Sequence, residues 1–162
     1  MGRIEKKLEQ LGLHLPIAKP PVGNYLGSKK DGCLLFASAR VSDCRGAVGV
    51  EVSVEQAIEA ARETVLSILA IVKKDISDLD LITGVVKLTG FIHSAPNFTE
   101  QPKVLDGASD LLIELFGEEG HHARTATGVA QLPFGASVQL DIIFRIKNTD
   151  TKQHNTSIAE LL

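Results

Sequence analysis

The 162-residue chain has 44% hydrophobic residues, 23% charged residues and a formal net charge of −3. This composition argues against a disordered or low-complexity chain, and the length suits one domain with a sizeable core. Charged residues are spread along the chain without a basic block, which disfavours a nucleic-acid partner. Because there is neither an apolar signal segment at the N-terminus nor a run of 18 apolar residues, we expect a cytoplasmic protein.

The N-terminal segment is predicted to form a short helix followed by a connector. Over residues 3–11 the apolar residues share one helical face: Ile4, Leu8 and Leu11. Gly12 follows at the position where a left-handed cap ends a helix. Residues 15–22 contain three of the six prolines, so we expect an extended connector there.

A β-hairpin is predicted next. Strand-like runs over residues 24–29 and 33–39 flank Asp31-Gly32, and Asp-Gly between two such runs is typical of a tight hairpin turn. Cys33 is therefore expected to pack as a strand residue.

The clearest predicted helix begins after Ser53. Ser53 and Gln56 occupy the two positions of a capping box, and Lys73 and Lys74 complement the carbonyl end of the helix. An apolar stripe repeats between them at helical spacing. It consists of Val54, Ile58, Ala61, Val65, Leu69 and Val72.

The remaining elements are a strand over residues 82–93, a second main helix over 104–116, and two final strands over 124–130 and 137–146. The order of hairpin, helix, strand, helix and two strands predicts an α+β fold, with one sheet and its two main helices packed on one face.

The last strand alternates strictly between its two sides. One side carries Val138, Leu140, Ile142, Phe144 and Ile146, and the other carries Gln139, Asp141, Ile143 and Arg145. The first side is expected to face the helices. The second is half apolar and needs a cover, so we expect a homo-oligomer in which such faces meet.

Arg124 and Asp141 would lie opposite each other if the last two strands formed a hairpin centred near Pro133. Such a pair has two interpretations. It can be a surface ion pair that contributes about 0 to 1 kcal/mol. It can also be a substrate site, where the guanidinium holds a carboxylate through two hydrogen bonds and the acid positions water.

No motif indicates a metal or a cofactor. His121 and His122 are adjacent, so on an extended segment they point to opposite faces, and no Cys, Asp or Glu stands at a ligand spacing from them. A loop pair is the alternative for these histidines. Phosphate-binding, dinucleotide-binding and serine-nucleophile motifs are all missing from the sequence.

Several segments resemble the Rid/YjgF family of reactive intermediate deaminases, formerly called the L-PSP endoribonuclease or translation-inhibitor group. The run 123–142, from Ala-Arg-Thr through Val-Ala-Gln-Leu-Pro to a strand with an acidic residue, is similar to the family's C-terminal signature. Segments 21–25, 34–38 and 90–98 are similar to its first hairpin and central strand. The leading helix and residues 101–109 look more like a longer, less characterised subgroup.

The resemblance implies a chorismate-mutase-like α+β subunit with a mixed sheet, assembled as a homotrimer with three interface clefts. It covers about residues 20–147, which we expect to form one domain. Residues 1–19 would be an N-terminal helix and connector, and residues 148–162 a polar tail.

The family's typical activity implies a catalytic role for two residues. Members hydrolyse enamines and imines released by amino-acid dehydratases to a 2-oxo acid and ammonia, without a cofactor. Arg124 matches the arginine that binds the substrate carboxylate. Asp141 stands where the family usually has Glu, which orients the attacking water together with the backbone carbonyl of Ala126. Asp is one methylene shorter, and Ala126 stands where many members have a reactive cysteine.

The resemblance also implies a substrate-binding wall. Tyr25 and Phe91 match pocket-wall positions, and Ser38-Ala39 matches a Ser-Gly turn whose backbone approaches the ligand. Ala39 and Arg40 replace the family's usual Gly-Gln.

Two other functions remain open at this point. One is a non-catalytic trimer that binds small carboxylates or regulates a partner. The other is the family's endoribonuclease label, which the composition opposes, because the chain has no Trp, one Tyr and a net negative charge.

Overall fold

The computed structural model describes residues 1–148 and contains one five-stranded mixed sheet. Its strands are β1 (Ser28–Asp31), β2 (Leu34–Val41), β3 (Ile82–His93), β4 (Ala123–Val129) and β5 (Val138–Ile146). They lie in the order β1-β2-β5-β3-β4, with β3 and β4 parallel and the other neighbours antiparallel. The expected polar tail, 148–162, lies outside the described residues apart from Asn148.

Three helices complete the subunit: α1 (Arg3–Gln10), α2 (Val54–Ile76) and α3 (Gln101–Phe116). The capping box at the start of α2 is confirmed, since Ser53 Oγ accepts a hydrogen bond from the Gln56 N–H at 3.1 Å. α3 begins three residues earlier than expected, because Pro102 lies in its first turn, where a missing N–H costs no helical hydrogen bond. No helix in this part of the chain is long and apolar enough to cross a membrane.

The hydrophobic core lies between one sheet face and the helices. The expected alternation of β5 is confirmed: its five apolar residues from Val138 to Ile146 are all buried. The core also takes in Ile4 and Leu8 of α1. On the other sheet face β5 presents Gln139, Asp141, Ile143 and Arg145. No helix among residues 1–148 covers this face, and we call it the open face.

The last two strands do not form a hairpin, so this expectation is wrong. β4 pairs in parallel with β3 alone, and β5 lies between β2 and β3. A physical reason lies in their composition. β5 is the more apolar strand and is buried best in the middle of the sheet, whereas β4 is short and polar and suits an edge.

The first hairpin forms with its turn shifted along the chain. Asp31 pairs with Leu34, so Gly32 and Cys33 make the turn, with Gly32 in the left-handed region at φ +59°. Cys33 is exposed rather than packed as a strand residue. The glycine at the left-handed position determines where this turn falls.

Candidate functional site

Arg124 and Asp141 point to opposite faces of the sheet. Residues directly opposite each other in a sheet share a face. Arg124 pairs with buried Leu88 and so faces the helices, whereas Asp141 pairs with Thr89 and faces the other way. The expected cross-strand pair is therefore wrong, and β3 separates the two residues.

The Arg124 side chain contacts α3. Its Nη1 donates to Asp106 Oδ1 at 2.8 Å and to Ser109 Oγ at 3.1 Å. The Arg124 side chain is 27% exposed, and that of Asp106 is 54% exposed. Within residues 1–148 only Nη1 is engaged, so Nη2 and Nε stay available to a ligand carboxylate.

His122 continues this hydrogen-bond chain. Its Nδ1 lies 2.6 Å from the Gly120 carbonyl oxygen, which can only accept, so Nδ1 carries the proton. Nε2 then accepts from Ser109 Oγ at 3.0 Å. Burial lowers the pKa of His122 below its ordinary value, and the nearby Arg124 charge acts in the same direction, against the Gly120 hydrogen bond. The neutral imidazole is therefore the form that the fold favours.

The His122 environment implies a pH dependence of stability. A lowered pKa in the folded state means that the unfolded chain binds the proton more readily. The contribution of His122 to the free energy of unfolding is complete above its unfolded-state pKa of about 6.5. It is lost as the pH falls through the pKa of His122 in the folded state. We expect His122→Gln to flatten the fall in unfolding free energy between about pH 7.5 and pH 5.5, measured by denaturant unfolding.

His14→Gln is the matched control, because His14 is exposed and is not among the groups that act on His122. It should keep the wild-type pH dependence. Equal slopes for wild type and His122→Gln would contradict the assignment of a neutral, hydrogen-bonded imidazole.

Asp141 lies in a polar cluster on the open face. Its carboxylate accepts a hydrogen bond from Thr89, and Lys87 lies near it and donates to Thr125 Oγ at 2.7 Å. Burial raises the pKa of Asp141 above its ordinary value, although the Thr89 hydrogen bond and the Lys87 charge oppose this rise. A carboxyl group with a raised pKa is suited to hold and transfer a proton.

Three of the expected wall residues come together in one cavity. Tyr25, Ser38 and Ala39 line a space of about 640 Å³ together with Gln139, a volume within the usual range for small-molecule sites. We call it the bulge cavity, because β2 has a bulge there: Ser38 and Ala39 together oppose Asp141 alone. Asp141 is therefore adjacent to the cavity, although it does not line it.

Side-chain and backbone hydrogen bonds tie the connector to this bulge. Ser38 Oγ donates to the Leu26 carbonyl oxygen at 2.6 Å, and the Ser38 N–H donates to the Gly27 carbonyl oxygen at 2.9 Å. These bonds hold the chain segment that carries Tyr25 over β2. The hydroxyl of Ser38 is thus used to position the wall.

The other two expected substrate-binding residues, Phe91 and Ala126, do not line the bulge cavity. Phe91 is on the open face, directly opposite Gln139, and so is next to the bulge cavity without lining it. Ala126 pairs with Gly90 and packs against the core beneath the helices. One chain therefore has Arg124 and Ala126 on the helix side of the sheet. Phe91 and Asp141 lie on the open face, next to the bulge cavity.

Sequence reasoning missed the rim formed by Phe134 and Arg45. Phe134 is 63% exposed and adopts a left-handed backbone at φ +60°, which is unusual for a bulky residue. The Arg45 guanidinium donates to its carbonyl oxygen. Pro133-Phe134-Gly135 signals a turn, but nothing in the sequence pairs it with Arg45.

Within residues 1–148, no group of three or more His, Cys, Asp and Glu side chains lies close enough together to hold a metal ion.

Comparisons with known proteins identify the family. The chain belongs to the YjgF/chorismate mutase-like family, for which an endoribonuclease activity has been suggested; the family model matches residues 5–145. The protein TCP17 of Trypanosoma cruzi is 42% identical over 154 residues, which cover 91% of this chain and 96% of TCP17.

Solved structures show the same architecture. Atu1372 of Agrobacterium tumefaciens, a protein of unknown function, is 41% identical, with a TM-score of 0.83 and coverage of 90% of this chain and 93% of that one. Escherichia coli TdcF, crystallised with bound serine, is 20% identical, with a TM-score of 0.58 and coverage of 80% and 94%. At that identity the likeness to TdcF concerns the fold alone.

Proposed function

We propose that this protein hydrolyses small 2-imino acids, the tautomers of enamines, at clefts built by two copies of the chain in a homotrimer. Water adds to C2 of the C=N bond, the nitrogen takes up protons and leaves as ammonia, and a 2-oxo acid remains. No cofactor is needed, because water is the only co-reactant. The observation that carries the proposal is the gathering of Tyr25, Ser38 and Ala39 in one cavity beside Asp141.

The proposed site requires two copies, because within one chain Arg124 lies far from the bulge cavity. β2, which carries the bulge cavity, and β4, which carries Arg124, are three strand spacings apart, or about 14 Å. They also use opposite faces. β4 is an edge strand, so Arg124 of a second copy can approach the bulge cavity when copies pack side by side.

The open face supports such packing. It carries Phe36, which is 40% exposed, and the partly buried Ile143 and Phe91. An apolar surface of this kind is suited to burial against another copy.

The proposed roles follow from the chemistry of each group. Arg124 of a second copy binds the substrate carboxylate through two charge-assisted hydrogen bonds. Asp141, with its raised pKa, exchanges a proton with the attacking water. Tyr25 and Phe91 exclude bulk water. Bound serine in TdcF, a protein of the same fold, agrees with a small amino-acid-like ligand.

One observation favours a second candidate, a trimer that binds small carboxylates without turnover. The polar side chain that lines the bulge cavity from β5 is Gln139, an amide that cannot take a proton from water. If Asp141 does not reach the substrate, binding remains and hydrolysis is lost.

The test supplies 2-iminobutyrate from threonine and a dehydratase and follows its conversion to 2-oxobutyrate. We expect the wild-type protein to accelerate release, and Asp141→Asn to lose the acceleration while still binding 2-oxobutyrate in calorimetry. Binding without acceleration in the wild type would support the non-catalytic alternative. Neither binding nor acceleration would contradict both candidates.

A further inference from the structure

The bulge cavity has a local excess of positive charge. Three cationic side chains line it, Lys19, Arg40 and Arg45, against the single carboxylate of Asp43. The whole chain has a net charge of −3, so this excess is a property of the cavity rather than of the protein. Such a lining attracts anions.

Only part of this charge is neutralised within the subunit. Lys19 Nζ lies 3.4 Å from Asp43 Oδ1, and both side chains are largely exposed, so this pair is weak. Arg45 donates to the main-chain carbonyl of Phe134, which carries no charge to offset its own.

Arg40 is the cation without a partner. It is half-buried, and within residues 1–148 it makes neither a side-chain hydrogen bond nor an ion pair. The guanidinium of Arg40 can donate five N–H bonds, and none of them is used within these residues. An acidic group of a ligand would supply the missing acceptors.

The bulge in β2 determines where Arg40 lies. Arg40 resumes the pairing with β5 directly after the extra residue, and it lines both the bulge cavity and a smaller adjoining cleft that includes Ser67 of α2. Bulges commonly re-aim a side chain next to a functional site. Arg40 is thus placed where the bulge cavity meets the adjoining cleft.

The lining of the bulge cavity is also partly aromatic. Tyr25 and Phe134 are both exposed, and Phe134 has a left-handed backbone, which is unusual for a bulky residue. These rings can contact the carbon chain of a ligand whose two ends are charged.

We propose that the bulge cavity selects a 2-imino or 2-oxo acid whose side chain carries a second acidic group, and that Arg40 binds this distal group. For the reacting end the inference rests on the proposed function, in which Arg124 of a second copy holds the first carboxylate. For the distal group it rests on the cavity alone.

Calorimetry with two probes tests the inference. On the wild-type oligomer we expect 2-oxoglutarate, a dicarboxylate, to bind about tenfold more tightly than 2-oxobutyrate, a monocarboxylate, since a hydrogen bond to a charged group typically contributes at least this factor. Arg40→Gln should abolish the difference, because it weakens binding of 2-oxoglutarate more than binding of 2-oxobutyrate. Lys74→Gln, which removes the same charge from exposed α2 surface outside the cavity, should change neither value.

Equal affinities in the wild type, or a preference that survives Arg40→Gln, would overturn the inference. Arg40→Lys keeps the charge and should retain part of the preference, which separates recognition from misfolding. The two proposals fail separately. Arg40-dependent binding of 2-oxoglutarate without imine hydrolysis sustains the distal site and contradicts the catalytic proposal. Hydrolysis of 2-iminobutyrate without any dicarboxylate preference contradicts the distal site alone.

Discussion

Replacing Arg124 by glutamine is expected to lower kcat/KM for 2-iminobutyrate by about a hundredfold or more and to raise the Kd of 2-oxobutyrate by a similar factor. A guanidinium makes two charge-assisted hydrogen bonds to a carboxylate, each contributing about 1.5 to 3 kcal/mol, and about 1.4 kcal/mol corresponds to tenfold. Glutamine offers neutral donors only. Steady-state kinetics and calorimetry measure the two effects.

The fold should survive this substitution. The Arg124–Asp106 ion pair is partly exposed, and such pairs contribute about 1 kcal/mol or less. Asp106→Asn is the matched control: it removes the in-chain ion pair and leaves the guanidinium in place, so we expect most of the activity to remain. An unchanged kcat/KM in Arg124→Gln would show that this arginine does not bind substrate and only connects β4 with α3 through hydrogen bonds.

Gly107→Ala is expected to destabilise the subunit by about 2 to 3 kcal/mol, measured by denaturant unfolding. Gly107 lies where α3 crosses α2, and a Cβ there would come within 2.2 Å of the Ile58 carbonyl oxygen. Because the clash is with backbone, the two helices must move apart rather than one side chain turning away. The gain in helix propensity, about 1 kcal/mol, is smaller than this cost.

Asp110→Ala in the same helix provides the control. Asp110 is exposed, so its replacement should leave the unfolding free energy within about 0.5 kcal/mol. If Gly107→Ala were as stable as Asp110→Ala, the close approach of α2 and α3 would not hold in solution.

Local features of the fold could be predicted from the sequence. The capping box at Ser53 and the alternation along 138–146 each depend on residues that are near in sequence, so spacing alone specifies them. The order of strands does not follow from spacing. β4 and β5 are consecutive and joined by a short turn, yet β5 pairs with β2 and β3 because its apolar residues are buried best at the centre of the sheet.

The candidate site was predictable to the same limited extent. Tyr25, Ser38 and Ala39 were expected near a ligand and do share a cavity. The predicted pairing of Arg124 with Asp141 is wrong. The face that a side chain occupies depends on strand pairing, which residue spacing does not determine. The Asp106 and Ser109 partners of Arg124 come from α3, and only the packed structure brings them together.

The most direct test of a site shared between two copies is a crystal structure of the protein with 2-oxobutyrate. We expect a homotrimer in which the ligand carboxylate contacts Arg124 of one copy and the remainder lies against Ser38-Ala39 of another, with Asp141 near its C2 atom. A ligand held entirely by one chain, or a subunit whose open face contacts no other copy, would contradict the shared site.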